Sequence, residues 1–304
     1  MEITIAPYAP LLNYKKWYTP EFVEETINKM NLKGMRIFAH LKDQKLESLD
    51  FLKEYTFLKE LHISCIDEHD YNFLKYLSNL KGLRIDQSIT EKNTIDLRNL
   101  VNLEYLHIYW RKKIIGLEKC KKLKKILLWS FKEKDLCKLH ELENLNEIRI
   151  GTASIQSFDG VQNMQNLENI IIGNCRYLKS IKAVNSLQNL KILDFDTCSK
   201  IEDYDSLTDL PILEKLVIKN CKDIKSIQFL KNLPSLKKLI ISANSKILDG
   251  DVKPAQHIDW VFIRQWKHYN MISKNSKEEG MEQYYKELAE RQKNQKNIQI
   301  TKDN

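Results

Sequence analysis

Three cysteines recur at a constant spacing in the second half of the sequence. Cys175, Cys198 and Cys221 lie 23 residues apart, and two of them follow an asparagine in the similar stretches GNCRYLKSI and KNCKDIKSI. Thiols in such a series are candidates for metal ligands or for a nucleophile. A zinc site, however, needs ligands that converge tetrahedrally, whereas a fixed repeat places them in a straight row. We therefore predict a buried structural ladder, with Asn244 in the next place.

The remaining residues that could do chemistry form no catalytic motif. Cys65, Cys120 and Cys137 show no C-x-x-C spacing. The sequence has no Walker loop, G-x-G-x-x-G, H-E-x-x-H or G-x-S-x-G stretch. With only eight glycines, it also has no evident loop for cradling phosphate. These observations predict a protein that is not an enzyme and uses neither a cofactor nor a metal.

A repeat of 20 to 23 residues explains the cysteine spacing. In the copy SLTDLPILEKLVIKNCKDIKSIQFL, the apolar residues follow the pattern L-x-x-L-x-x-L-x-x-L-x-I-x-x-C-x-x-I-x-x-I. A degenerate first copy is present at Leu32, Met35 and Ile37. In the nine clear copies, the last leucine-type residue before the final x-I is at position 61, 83, 106, 126, 148, 170, 193, 216 or 239.

Two periods within the repeat predict two kinds of local structure. The L-x-I element alternates with period 2, so both apolar side chains face one way from a short strand. The L-x-x-L-x-x-L element has period 3, which suits a short helical or 3₁₀ turn with one apolar edge. One copy cannot bury that face alone, but stacked copies can.

This motif resembles the leucine-rich repeat family in its 22-residue, internalin-type class, over roughly residues 30–250. The resemblance implies an α/β leucine-rich repeat solenoid, with a curved parallel sheet on the concave side and short helices or 3₁₀ turns on the convex side. It also implies a protein-binding scaffold. The chain departs from the class at Cys175, Cys198 and Cys221, where asparagine is usual.

The two ends of the array are predicted to be caps. We expect an N-terminal helical cap at 1–34, repeats at 35–250, and a C-terminal cap with a charged helical tail at 251–304. Thr19 and Pro20 give a good helix start. We expect Phe22, Ile27 and Met30 to shield the first repeat, residues 257–272 to supply a closing strand, and residues 276–297 to form the tail.

Candidate partner-binding residues lie at or just after the x of L-x-I, where the pattern predicts side chains on the concave face. They are His62, Arg84, His107, Tyr109, Trp110, Trp129, Arg149, Asp194 and Asp196. We expect the histidines to be exposed, and the three aromatic residues to form a hot spot, because aromatic residues and arginine anchor protein interfaces. Alternatively, the C-terminal segment or irregular loops cover these aromatic residues.

Two further surfaces leave alternatives open. Leu127, Ile171, Val217 and Ile240 make the later concave strip partly apolar, either as a second contact area or as a site covered by the tail. The basic run RKKIIGLEKCKKLKK (111–125) is typical of a solvated face, and otherwise indicates an acidic partner or a phosphate backbone. No recognition helix or zinc finger accompanies it, so nucleic acid is an unlikely partner.

Composition and the ends of the sequence bear on location and function. The net charge is +8, no run approaches 18 apolar residues, and Glu2 stands where a signal peptide would be positively charged. We expect no membrane segment and a cytoplasmic protein with reduced thiols; the abundance of lysine, isoleucine and asparagine is typical of AT-rich bacterial genomes. The sequence thus predicts a non-enzymatic module that binds a protein partner. The alternatives are the substrate-recognition part of an effector, or binding through the basic run.

Overall fold

All nine clear L-x-I elements of the sequence, and the degenerate first one, form β-strands in the computed structural model. The structure describes residues 3–6, 9–40, 46–65, 67, 69–86 and 93–271. The chain divides into two units between Leu123 and Lys124, and each unit is described in turn. The predicted helical tail at 276–297 lies outside the described residues.

The described residues of the first unit form a mostly parallel sheet, a two-stranded pair and one α-helix. Its elements are β1 (Ile3–Ala6), β2 (Ala9–Asn13), α1 (Pro20–Lys29), β3 (Gly34–Ala39), β4 (Glu60–Cys65), β5 (Gly82–Ile85), β6 (Ile95–Asp96), β7 (Tyr105–Tyr109) and β8 (Ile114–Ile115). The main sheet has the order β1-β2-β3-β4-β5-β7, with β1 antiparallel to β2 and the other neighbours parallel. Strands β6 and β8 pair separately.

The second unit is built on a parallel sheet. Its strands are β9 (Lys125–Trp129), β10 (Glu147–Gly151), β11 (Asn169–Gly173), β12 (Ile192–Asp196), β13 (Lys215–Lys219), β14 (Lys238–Ser242) and β15 (Trp260–Ile263). They pair in chain order, and the predicted closing strand is confirmed as β15. Among the residues described in the two units, no helix is long and apolar enough to cross a membrane.

The period-3 leucines form 3₁₀ structure, as predicted. In the first unit, Leu52 N donates to Leu49 O, Tyr55 N to Leu52 O, and Leu58 N to Tyr55 O, at 3.0 to 3.1 Å. Each bond joins residues three apart, so these apolar side chains stack on one edge. The 3₁₀ helices are Asp50–Glu54, Asn72–Tyr76, Leu117–Lys119, Cys137–Leu139, Val161–Asn163, Lys182–Ser186, Tyr204–Ser206, Gln228–Asn232 and Lys253–Ala255.

The N-terminal helix starts as predicted but buries a different face. Thr19 Oγ1 accepts a hydrogen bond from Phe22 N at 3.3 Å, and Pro20 is the first helical residue. The buried residues of α1 are Val23 and Thr26. Phe22 and Met30 are exposed, so the prediction that they shield the first repeat was wrong. Val23 and Thr26 are three apart on one side of the helix, and that side faces inward.

Asparagine amides tie consecutive repeats together beside the turns. In the first unit, Asn79 Nδ2 donates to Thr56 O at 2.9 Å, and Asn102 Nδ2 donates to Ser78 O at 3.0 Å. In the second unit, Asn166 donates to Glu143 O at 3.0 Å and Asn189 donates to Gln165 O at 2.9 Å. Each of these bonds satisfies a carbonyl one repeat earlier.

Most strands of the second unit are followed by a residue in the left-handed backbone region. The residues are Ser130, Thr152, Asn174, Thr197, Asn220 and Ala243, with φ between 53° and 59°. In the first five of these residues the bend turns the backbone N–H toward the next strand; for example, Thr152 N donates to Gly173 O at 2.8 Å, and Asn174 N donates to Asp196 O at 2.7 Å. Asparagine tolerates this region better than most residues do. In the two Asn-Cys stretches, the asparagine therefore makes the bend.

The cysteine ladder is present, but Ser245 rather than Asn244 occupies its next place. Cys175, Cys198 and Cys221 are buried. Cys198 N donates to Cys221 Sγ at 3.4 Å, and Cys221 N donates to Ser245 Oγ at 2.9 Å. Asn244 is exposed, because the turn at residues 243 and 244 shifts the inward position by one residue.

Burial keeps the three ladder thiols out of contact with solvent. Hydrogen bonds with the neighbouring thiols, and burial, raise the pKa of Cys198, whereas the hydrogen bond with Cys198 lowers the pKa of Cys175 and of Cys221. Burial also raises the pKa of Cys65 to about 11 and that of Cys120 to about 12. Since the thiolate is the reactive form, Cys65, Cys120 and Cys198 are poor nucleophiles at neutral pH, and Cys175 and Cys221 are protected by their burial. Cys137, by contrast, is exposed.

Alkylation of the native protein tests the ladder. Iodoacetamide at neutral pH is expected to modify Cys137 in the native protein and the five buried cysteines only after unfolding, because the reagent must reach the sulfur. Mass spectrometry of tryptic peptides measures the modification of each cysteine. A Cys137→Ser variant is the control and is expected to take up almost no label. Rapid native labelling of Cys175, Cys198 and Cys221 would contradict the ladder.

The left-handed bend is tested at Asn220. Replacing it with valine is expected to lower the free energy of unfolding by about 1–2 kcal/mol or more, because a β-branched residue is strained at positive φ. Asn220→Gly keeps the backbone conformation accessible and serves as the matched variant. Urea unfolding monitored by circular dichroism gives both values. Equal stability of the two variants would show that the bend imposes no such constraint.

Candidate functional site

A row of alternating arginines and histidines crosses the outer face of the sheet in the first unit. The residue between the two inward anchors of each strand points outward, and the strand register aligns Arg36 with His62, His62 with Arg84, and Arg84 with His107. We call these four residues the Arg–His row. Neighbouring strands are about 4.8 Å apart, so each cationic side chain stands beside an imidazole.

One carboxylate neutralises part of this row. Arg84 Nε donates to Asp86 Oδ2 at 2.7 Å, and His107 Nε2 lies 3.6 Å from Asp86 Oδ1. Asp86 follows the last residue of β5, so the strand that carries Arg84 also carries its counter-ion. The Arg84–Asp86 pair is therefore an internal one.

His62 and His107 are buried, contrary to the expectation that they are exposed. Each side chain is on the outer face but retains only 6% of its accessible surface. Burial, with the charge of Arg84 next in size, lowers the pKa of each histidine to about 4. Both imidazoles are consequently neutral at pH 7. The sequence pattern predicts which face of the sheet a side chain lies on. It does not predict the exposure of that side chain, because long side chains on the adjacent strands can cover it.

The aromatic residues at the end of β7 differ in exposure. Tyr109 is half-buried, whereas Trp110 is 8% exposed. The predicted exposure of Trp110 was therefore wrong: it follows the strand, where the chain turns inward. Arg111, the first residue of the basic run, is also buried, and its guanidinium lies 5.8 Å from the ring centroid of Tyr71.

Within the first unit, the rest of the basic run is exposed. It comprises Lys112, Lys113, Lys119, Lys121 and Lys122. Lys122 Nζ donates to Asn102 Oδ1 at 2.8 Å. Cys120, in the middle of the run, is buried on the inward side, so the lysines around it point to solvent. This is the geometry of a solvated turn.

The outer face of the second unit is mainly apolar along the equivalent row. The residues that lie between the inward anchors are Leu127, Arg149, Ile171, Asp194, Val217, Ile240 and Phe262, aligned by the strand register. We call Leu127, Ile171, Val217, Ile240 and Phe262 the apolar row. Val217 is buried, and the other four are half-buried. The row therefore keeps apolar surface in contact with solvent.

Trp129 lies on this face and is seated over a glycine. It is 37% exposed, and a Cβ placed on Gly151 would come 2.4 Å from Cζ3 of its ring. The ring therefore occupies the space above Gly151, and no larger residue fits there. At Gly173, the next position in register, an added Cβ would meet nothing within 4 Å. Trp129 thus stands beside an open position on the face.

Charged candidates on the same face are engaged in internal contacts. The Arg149 guanidinium pairs with Glu147, whose other oxygen lies 3.5 Å from Lys125 Nζ. Lys219 Nζ lies 3.0 Å from Asp196 Oδ2, and Thr197 Oγ1 donates to Asp196 Oδ1 at 2.8 Å. Asp194 is half-buried within the row. Arg149 and Asp194 therefore interrupt the apolar row, whereas the Asp196–Lys219 pair lies at the end of its strands.

The sequence analysis missed several residues that shape the two faces. Arg36 and Phe38 were not selected because their repeat is degenerate, although the same x-position rule applies to Arg36. Glu147 was not selected because it precedes the first anchor, where outward side chains also lie. Gly151 carries no side chain and gave no signal. Within the described ranges, no group of three or more histidine, cysteine, aspartate or glutamate side chains is placed to hold a metal ion.

The buried histidines predict an acid-sensitive first unit. The unfolded histidine pKa is about 6.5, whereas His62 and His107 have a pKa of about 4 when folded. The unfolded state binds more protons between these values, so stability is expected to fall as the pH drops from about 6.5 to about 4. The expected loss is on the order of 3 kcal/mol per histidine.

Urea unfolding across this pH range measures the effect. The groups facing the two rings are Arg36, Arg84 and Asp86. A His62→Gln, His107→Gln variant is expected to lose much of the pH slope, because glutamine does not titrate. His257→Gln, at an exposed position, is the control. An unchanged slope in the double variant would contradict the assignment.

Comparisons with known proteins extend to fold alone. No family model matches the sequence, and no curated relative does either. Among solved structures, the chain is similar to the internalin InlF of Listeria monocytogenes, with 17% identity over 84% of this chain and 87% of that chain and a TM-score of 0.47. Internalin C2 of the same organism is 18% identical over 70% of this chain and 82% of that chain, with a TM-score of 0.44. A leucine-rich repeat protein of Leptospira interrogans is 15% identical over 83% of this chain and 82% of that chain, with a TM-score of 0.41.

The fold follows from the chain itself. Its L-x-I elements form parallel strands in register, and its period-3 leucines form 3₁₀ turns that face the same interior. This arrangement of one strand and one turn per repeat of 20 to 23 residues is the leucine-rich repeat architecture. The chain therefore has the leucine-rich repeat fold.

Proposed function

We propose that this chain is a non-enzymatic protein-binding module whose partner docks on the outer face of the sheet. The observation that carries the proposal is the apolar row of the second unit. Val217, Ile240 and Phe262 stand in register on the successive strands β13, β14 and β15. Ile171 lies two strands before Val217, with Asp194 between them. Contiguous apolar surface bordered by charged groups is typical of protein interaction sites.

The composition of the face also favours a protein ligand. Trp129 provides a large, immobilised aromatic surface, which is the type of side chain that often anchors an interface. The Glu147–Arg149 and Asp196–Lys219 pairs supply polar groups around it. An apolar centre with a polar rim is the usual composition of such sites. In the first unit, we propose that Tyr109 and Arg84, which also lie on the outer face, contact the partner.

The backbone supports tight binding at a low entropic penalty. Every strand of the second unit is hydrogen-bonded to its sequence neighbours, and the bends after the strands add bonds such as Thr197 N to Lys219 O at 2.8 Å. Side chains on such a sheet are already positioned before the partner arrives. Less conformational entropy is then lost when the complex forms.

We extend the proposal to a reducing, cytoplasmic setting. Its support is that all six cysteines are free thiols, five of them buried. Cys221 Sγ lies 3.2 Å from Lys219 O and 3.5 Å from Phe195 O, so it packs as a small thiol with carbonyl acceptors. Reduced, buried cysteines are usual in the cytosol.

A pair of isoleucine substitutions tests the proposal. Ile171→Glu places a charge in the apolar row, and partner capture from a lysate of the source cells is expected to fall roughly tenfold or more, because an apolar contact is replaced by a charged group that loses its hydration in the interface. Ile212→Glu makes the same chemical change at an exposed turn position and is expected to leave capture unchanged. Quantitative mass spectrometry compares the captured proteins.

Folding must be matched before the two variants are compared. Both positions are partly accessible, so both variants are expected to unfold at similar urea concentrations. If Ile171→Glu is folded and retains every partner that the wild type captures, the apolar row is not the binding surface. Equal loss in both variants would indicate non-specific capture and would also contradict the proposal.

A further inference from the structure

Arg36 occupies an unusual place in the Arg–His row. It lies on β3, half-buried, with its guanidinium carbon 4.8 Å from the ring centroid of Phe38 on the same strand. Phe38 in turn lies 4.5 Å from the ring of His40, whose Nε2 is 2.7 Å from Ser64 Oγ on β4. Stacking on an aromatic ring restricts a guanidinium to one plane. The arginine head is therefore held in position.

Among the described residues, Arg36 has no carboxylate as a direct ion-pair partner. Within the described parts of the chain, no carboxylate lies within ion-pair distance of Arg36, whereas Arg84 is bonded to Asp86. Glu60, another carboxylate on this face, packs over Gly82 on β5: a Cβ on Gly82 would lie 3.0 Å from Glu60 Cγ. Burial, and then the charge of Arg84, lowers the pKa of Arg36, with only Asp86 acting in the other direction.

A half-buried cation in this setting is unfavourable for the free protein. Its partial desolvation is offset only in part by Asp86, which is already bonded to Arg84, and the like charge of Arg84 adds to the cost. Stacking on Phe38 returns only part of this energy. An anionic ligand would supply the missing interaction.

We infer that Arg36, stacked on Phe38 and flanked by His62 and Ser64, is a recognition site for a carboxylate side chain of the protein partner. A planar guanidinium presents parallel N–H groups that match the two oxygens of a carboxylate. Ser64, next to Phe38 in register, is buried and bonded to His40 Nε2, so it holds the aromatic side of the site in place. His62, in register with Arg36 itself, forms the other side of the site.

The charge balance favours a carboxylate over a phosphate group. Asp86 neutralises Arg84, which leaves one positive charge, that of Arg36, on the Arg–His row at neutral pH. The two histidines are uncharged there. A single carboxylate balances one positive charge, whereas a phosphate monoester with nearly two negative charges would need a second free cation.

This inference rests on the proposed function, because it names a feature of the same partner. It predicts an Asp or Glu on the partner, and it concerns the first unit alone. The apolar row of the second unit is tested by a different substitution, so the two ideas succeed or fail separately.

Binding of a short fluorescent oligoglutamate peptide to the full chain at low ionic strength tests the site. Arg36→Gln is expected to weaken binding by roughly tenfold, since it removes a charge-assisted hydrogen-bond pair. Lys112→Gln removes the same charge from the exposed basic run and is expected to change binding by less than about twofold. Equal weakening by the two substitutions would mean general electrostatic attraction and would overturn the inference.

Inorganic phosphate is the second probe. When phosphate and the fluorescent oligoglutamate carry the same total concentration of negative charge, phosphate is expected to displace little of the bound peptide. If phosphate binds at Arg36 and oligoglutamate does not, the carboxylate assignment is wrong. If the peptide binds the wild type and Arg36→Gln equally, Arg36 is not the site. If Ile171→Glu abolishes partner capture in the same set of experiments, the proposed function still stands. Peptide binding through Arg36 with no effect of Ile171→Glu contradicts the apolar row instead.

Stability gives an independent reading of Arg36. Because Arg36 has no ion pair with any carboxylate that the structure describes, Arg36→Gln is expected to leave the urea midpoint unchanged or raise it. Arg84→Gln is the matched variant and is expected to lower the midpoint, since it breaks the bond to Asp86. If Arg36→Gln lowers the midpoint as far as Arg84→Gln does, Arg36 is a structural arginine and the inference fails.

Discussion

No single repeat in this chain can enclose its own apolar edge, and the rest of the structure depends on that constraint. Each repeat contributes a strand with two inward side chains and a turn whose leucines are three residues apart, all on one side. That side is covered only by the repeat before and the repeat after. The parallel register, the amides of Asn79 and Asn166, and the left-handed bends all keep the repeats aligned so that the leucines meet.

The same constraint explains why the sequence predicted the fold well. Inward positions must be apolar in every repeat, so the period of the leucines located all nine clear strands and the 3₁₀ turns. Thr19 and Pro20 likewise marked the start of α1 through local chemistry alone. Local rules were less reliable where the repeat changed: Ser245 took the ladder place assigned to Asn244, because one turn shifted the chain by a residue.

The outward residues were harder to predict, since their surroundings are set by side chains from other repeats. A period of 2 gives the direction of His62 but not its burial, which depends on what stands on the neighbouring strands. Trp110 was misjudged for a related reason, because the strand ends one residue earlier. Gly151 matters only through Trp129, which lies above it. Such pairwise effects are invisible until the register is known.

The straight rows on the outer face have a consequence for any chain that lies across them. Rows repeat about every 4.8 Å, one per strand, whereas alternate side chains of an extended peptide are about 6.7 Å apart. The two spacings come back into phase after about four strands and three peptide steps, near 20 Å. In a partner strand that crosses the second unit, only one or two side chains would therefore lie directly over an outward residue of the sheet. The mismatch between the two spacings would therefore favour partners whose contacting side chains are about 20 Å apart.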